Sequence, residues 1–216
     1  GYPWNGDIRV KVAKGNGEFV MNLRIPGWVR GEVLPGDLYR YADGKKLGYT
    51  VSVNGDPVSG ELQKGYMQIS RKWKKGDVVE VHFDMEPRVV KANEKVADDR
   101  GRVSLECGPI VYCAEWPDND FNVHNILLNR RPAIQVVDKP DMLYGIQELT
   151  TNAQTLNYDT TGRLVVKDVK LTLIPYYAWA HRGEGDMEVW LPIEVGAASA
   201  QPLKAEKQED NGFFEN

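Results

Sequence analysis

Apolar residues occupy every second position through most of this chain. Ile8, Val10 and Val12 alternate with charged neighbours, and Val79, Val81 and Phe83 alternate with Glu80 and His82. Near the end, Met187, Val189, Leu191, Ile193 and Val195 alternate with Glu188, Trp190, Pro192 and Glu194. Successive side chains of a strand point to opposite faces, so this pattern sets one face on a core and the other in water. No stretch longer than a turn or two carries the repeat near 3.6 that an amphipathic helix needs.

Turn signals divide the pattern. Gly15-Asn16-Gly17 separates the first strand from Phe19, Met21, Leu23 and Ile25, which predicts a hairpin. Trp28 to Gly48 reads as a long loop, and loops of that length serve function or an interface. Asn54-Gly55 is a strong hairpin signal, and Lys75-Gly76-Asp77 turns the chain into Val79. The polar stretch from Asn93 to Gly101 is the expected domain joint. Beyond it, Val103, Leu105 and Cys107 resume the alternation, Gly108-Pro109 marks a bulge or an edge, and Ile110 to Ala114 is apolar on both faces. Weaker strands are expected at 133–137, 146–149 and 154–158, with stronger ones at 164–174 and 187–195. The predicted fold is all-β, with two antiparallel β-sandwich domains in series over residues 1–92 and 93–196, followed by a loose polar tail at 197–216. A single larger sandwich is the alternative.

Composition limits the function classes. Lys and Arg number 27 against 31 Asp and Glu, a net charge of −4, where a nucleic-acid binder would carry a basic face. The longest apolar runs fall far short of the ~20 residues of a membrane-spanning helix. Neither nucleic acid nor membrane is therefore an expected partner. Starting at Gly1-Tyr2-Pro3-Trp4, without Met, the chain reads as a piece of a longer protein.

Each catalytic constellation has residue requirements. A hydrolytic triad needs a nucleophile, a histidine base and an acid, but His82, His124 and His181 flank no nucleophile motif. Cys107 and Cys113 read as lying ~20 Å apart on one strand, too far for a disulfide or a shared metal, unless the Gly108-Pro109 bulge folds them together. Asp98-Asp99 and Glu184/Asp186 lie in polar segments, where carboxylates are usually solvated. The basic run Arg71-Lys72-Trp73-Lys74-Lys75 reads as a hairpin rim. Aromatic residues at turns stand out instead. Trp116 precedes a Pro-Asp turn, and Tyr176, Tyr177, Trp179, His181 and Arg182 follow Pro175. Such residues seal domain interfaces or stack on sugar rings, and the interface is the favoured reading.

Several segments together resemble a known family. They include Tyr2-Pro3-Trp4-Asn5-Gly6-Asp7, Arg24-Ile25-Pro26-Gly27-Trp28 and Gly108-Pro109-Ile110-Val111-Tyr112-Cys113-Ala114-Glu115. With Ile174 to Gly183 and Met187 to Pro192, these are similar to the C-terminal, non-catalytic β-sandwich region of glycoside hydrolase family 127, the β-L-arabinofuranosidases. The resemblance implies a catalytic (α/α)6 barrel elsewhere in the parent chain, where a zinc-bound cysteine is the nucleophile and a glutamate the acid/base. It implies no cofactor, metal ligand or catalytic residue in this region. The expected role is accessory: Tyr2, Trp4, Trp28, Tyr39 and Tyr41 would face the barrel, with a second copy or a glycan as further candidate partners. Exposed in the isolated region, such a surface predicts self-association. A periplasmic or extracytoplasmic location is suggested by the resemblance alone.

Overall fold

The computed structural model describes residues 1–202, and the fold is all-β with a single one-turn helix. In the N-terminal body the elements are β1 (Asp7–Lys11), β2 (Asn16–Arg24), α1 (Gly27–Arg30), β3 (Tyr39–Tyr41), β4 (Tyr49–Val53), β5 (Asp56–Pro57), β6 (Leu62–Gln63), β7 (Tyr66–Lys74) and β8 (Val78–Phe83). Two sheets form here, ordered β1-β8-β4-β5 and β2-β7-β6. Val51, Val53, Val79, Val81 and Phe83 of one sheet share a core with Met67, Ile69 and Trp73 of the other. The Trp73 indole is fully buried and donates to the Phe19 carbonyl at 3.0 Å.

Asn54-Gly55 makes its expected hairpin between β4 and β5, with both residues at positive φ. The hairpin expected from β1 and β2 does not form. Strand β1 pairs with β8, and β2 pairs with β7 in the opposite sheet. Alternation shows that each strand has an apolar face, but not whether two strands lie side by side or face each other across a core. The β1–β2 and β7–β8 connections cross together, tied by the Gly76 amide to the Val12 carbonyl and the Val12 amide to the Asp77 carbonyl, both at 2.8 Å.

The second body contains β9 (Pro87–Ala92), β10 (Arg102–Cys107), β11 (Ile110–Glu115), β12 (Ile126–Leu128), β13 (Gln135–Lys139), β14 (Ile146–Tyr158), β15 (Leu164–Pro175), β16 (Met187–Glu188), β17 (Leu191–Pro192) and β18 (Gln201–Pro202). One continuous sheet runs β12-β14-β15-β11-β10-β9-β3. It folds over at β15, where only Ile174 and Pro175 pair with β11 while Leu164 to Leu173 pair with β14. Val103, Leu105, Tyr112 and Ala114 of one half therefore meet Ile126, Leu149, Leu171 and Leu173 of the other in one core.

Three expectations on strands change. The strands expected at 146–149 and 154–158 are one, because Thr150 and Thr151 between them are buried and β-branched. The strand expected at 187–195 is reduced to two short bridges, because the Arg102 side chain takes the Trp190 carbonyl at 3.0 Å. Of the tail expected to be loose from residue 197, Gln201 and Pro202 pair in parallel with β14, and the remainder lies outside the described residues.

The loop expected at 28–48 bridges the two bodies. Its middle, β3, is an edge strand of the second sheet, with Tyr39 opposite Ala92 and Tyr41 opposite Val90. Strand β9, from Pro87 to Ala92, also lies in that second sheet, against β10.

Candidate functional site

Two places gather the aromatic residues singled out by sequence. The first is the joint around β3. Trp28 and Tyr41 are buried there, and Tyr39 stacks on Trp190 with ring centres 5.6 Å apart. The buried Arg88 donates to both Asp43 oxygens, at 2.6 and 3.2 Å, and to the Trp28 and Lys45 carbonyls at 3.1 and 2.7 Å. That ion pair holds the Asp43 carboxyl below its ordinary value, the hydrogen bond to Arg88 being the largest cause. Tyr41 donates to Glu106 at 3.0 Å. Burial pushes both of these groups upward, and the Glu106 charge adds to the effect on Tyr41. A groove of about 380 Å³ opens beside them, lined by Trp28, Leu34, Tyr39, Glu106 and Trp190. Tyr2 is exposed and Trp4 half-buried.

The second place lies where β15 ends. After Pro175 the chain makes one 3-10 turn, Tyr176–Ala178, closed by the Trp179 amide on the Tyr176 carbonyl. The Tyr176 and Trp179 rings lie nearly parallel, 6.2 Å apart, and Tyr177 is the most exposed of the three. His181 is committed locally, its Nδ1 donating to the Ala178 carbonyl at 3.0 Å. Arg182 forks onto Asp118 and also reaches the fully buried Glu115, whose other oxygen accepts from the Ala180 amide at 2.9 Å. These carboxylates raise the Arg182 pKa further, Asp118 first. The Trp116 ring lies over the same loop: a Cβ on Gly185 would fall 2.0 Å from Trp116 Cδ1.

Sequence reasoning missed the partners of both places. Glu115 and Asp118 bracket Trp116, so their types were visible, but nothing local marks them as the counter-charges of Arg182. Arg88, Asp43 and Glu106 likewise come from three separate segments. A third feature was also missed. A cleft of about 590 Å³ lies between the Trp116–Asn122 turn and the β14–β15 ribbon.

The cysteines are placed differently than expected. Gly108-Pro109 is a hairpin turn, so Cys107 and Cys113 sit on adjacent strands rather than one. Cys107 lies opposite Ile110, three residues from Cys113, a span of about 10 Å that also puts the two on opposite faces of the sheet. They pack in separate cores as free thiols. Among the described residues no group of three or more His, Cys, Asp or Glu is placed to hold a metal ion, so these residues do not fit a zinc-thiolate centre. His82 was expected to be solvated, and it is half-exposed beside Asp7 at 2.6 Å. His124, in a short 3-10 turn, sits 2.7 Å from Glu188, which also binds Arg102.

Comparison with known proteins agrees with this architecture. The sequence model of the β-L-arabinofuranosidase GH127 middle domain matches residues 1–85, and that of the glycoside hydrolase family 127 C-terminal domain matches residues 87–192. A non-reducing end β-L-arabinofuranosidase of Bifidobacterium longum subsp. longum is 30% identical over 207 residues, which are 88% of this chain and 29% of that protein. A solved structure described as a GH127 β-arabinofuranosidase is 71% identical, with a TM-score of 0.90, covering 94% of this chain and 32% of that one. A GH127 β-L-arabinofuranosidase from Geobacillus stearothermophilus T6 is 35% identical, with a TM-score of 0.73, covering 88% and 29%. The chain thus spans about a third of the length of these relatives. With both of its bodies matched in order, the chain belongs to glycoside hydrolase family 127, as that family's middle and C-terminal domains.

Proposed function

We propose that this chain is the accessory, non-catalytic region of a β-L-arabinofuranosidase, bracing a catalytic part carried elsewhere in the parent. The observation that carries this reading is the joint at β3. A strand from the first body completes the sheet of the second, and Arg88 ties the linking loop back through Asp43, Trp28 and Lys45. Such a joint makes one rigid support from two sandwiches, which is what a brace requires. The names of the relatives supply the parent's activity, and the separately buried cysteines support placing the nucleophile and zinc outside this region.

Partner contact is assigned to side chains that stay in solvent. Leu34, which lines the 380 Å³ groove, and the exposed Leu38 and Tyr2 are the candidates. Trp28 and Tyr41 act indirectly, by holding the joint. The aromatic loop at Tyr176, Tyr177 and Trp179 is assigned to domain contact or to contact with a second copy, because His181 and Arg182 are spent on closing the loop.

The test compares three proteins on an aryl β-L-arabinofuranoside, with and without zinc. The parent releases arabinose, the parent lacking this region loses solubility or thermal stability, and this region alone releases none. Turnover by this region alone would overturn the accessory reading. Sedimentation of the isolated region is expected to reveal self-association through the uncovered surface.

A further inference from the structure

We infer that the cleft between the Trp116–Asn122 turn and the β14–β15 ribbon is a carbohydrate-binding site. Its volume, about 590 Å³, falls in the range of small-ligand sites. Trp116 and Phe121 offer aromatic surface, while Asp120, Asn122, Lys167 and Lys170 offer polar atoms. A sugar ring has the matching chemistry: its C–H face packs on an aromatic ring, and its hydroxyls both donate to carboxylates and accept from ammonium groups.

The walls are built rather than casual. Asn119, buried at the base of the turn, donates to the Glu115 and Thr172 carbonyls at 2.8 and 3.0 Å and accepts from the Thr172 amide at 3.0 Å. That clamp fixes the Trp116 wall to β15. On the other side Asn125 donates to Asn157, which donates to Thr155, all three buried. Gly185 seats the Trp116 ring, since any side chain there would push it. Walls that are already held in place lose little freedom on binding.

The charges facing the cleft are unevenly used. Arg182 neutralises Asp118. No hydrogen bond or ion pair among the described residues engages the side chains of Asp120, Lys167 or Lys170, so these remain available to ligand hydroxyls. The choice of a sugar over another hydroxyl-rich ligand rests on the parent being a glycoside hydrolase; the construction of the cleft does not.

The experiment is hydrogen–deuterium exchange on the full parent chain, with arabinofuranose-containing oligosaccharides as probes. Exchange in the segments 116–122 and 165–170 should slow by about tenfold at a probe concentration near ten times the dissociation constant. The Lys167→Ala/Asp120→Ala double variant, altered only at exposed positions, should lose that protection. Trp116→Ala should lose it too, while Lys75→Ala in the other body should keep it. Absence of protection at millimolar probe overturns the site, as does protection that persists in the double variant. Turnover of the aryl arabinofuranoside on the same sample separates the two readings. Turnover without protection sinks the cleft alone, and protection without turnover sinks the arabinofuranosidase reading alone.

Discussion

The Arg88 guanidinium lies 3.4 Å above the centre of the Tyr41 ring. Tyr41 arrives on β3 from the N-terminal body, and Arg88 on β9 of the second sheet. The contact therefore adds a side-chain tie to the β3–β9 backbone pairing, where a strand of the first body enters the second sheet. Arg88 is almost wholly enclosed, so its charge depends on Asp43 and the carbonyls around it.

Removing either partner of that pair should loosen the joint. Asp43→Ala is expected to cost about 2 kcal/mol, less than a fully buried pair because Asp43 is about a third exposed. Arg88→Met also strips two carbonyls of their donor and is expected to cost about 3 kcal/mol. Urea unfolding monitored by tryptophan fluorescence measures both, and an Asp43→Ala variant as stable as the parent sequence would contradict this account.

Glu106 gives the joint a dependence on pH. Burial raises its carboxyl above the ordinary value, against the lowering effects of the Tyr41 hydroxyl and of Arg88. The unfolded chain thus ionises first as pH rises. The contribution of this group is full below the unfolded value and is lost as pH climbs through the folded one. Glu106→Gln keeps an oxygen for Tyr41 but cannot ionise. Its melting temperature should exceed that of the parent sequence near about pH 7 and converge with it near about pH 4. A difference constant across that range would remove Glu106 as the cause.

At the aromatic loop, Arg182 offsets the charge of a carboxylate that has no access to water. Arg182→Ala leaves Glu115 buried and unpaired, at an expected cost of about 3–5 kcal/mol. Arg182→Lys should recover only part of this, because one ammonium cannot reproduce the planar fork on Asp118 while also reaching Glu115. Near-ultraviolet circular dichroism of the stacked Tyr176 and Trp179 should weaken in both variants. Full rescue by lysine would mean that charge alone, without geometry, holds the loop.

The thiols provide a probe of both cores in the second body. Burial pushes Cys107 up to about 11 and Cys113 up to about 12, the second also feeling Glu115 and Asp118. Thiolate is the reactive form, so neither should react with Ellman's reagent near about pH 8 in the folded protein. Both should react at once in denaturant. Reaction of Cys113 before unfolding would locate an opening at the β11–β15 fold line.

Local signals served well wherever the physics was local. Asn54 and Gly55 both accept positive φ, and the two-residue turn they form follows from that alone. Gly108-Pro109 was legible as an interruption, but not as a reversal of the chain, because a bulge and a turn use the same residues. The strand expected through Trp190 failed because Arg102, 88 positions earlier, captures the carbonyl that a neighbouring strand would have used. Trp179 and Arg182 were recognised as notable from their types, whereas Lys167 and Asn119 were not, since their significance comes from what faces them across the cleft.

Period-two alternation and its turns were enough to commit this chain to antiparallel sheets and to mark the aromatic clusters, because strand geometry acts on residues two positions apart. The pairing of strands depended on tertiary structure. So did the strand borrowed from a loop, the burial of Arg88 and Glu115 beside their counter-charges, and the opening of a cleft between a turn and a distant ribbon. Each of these is a contact between segments far apart in the chain, and its free energy exists only once the cores have closed.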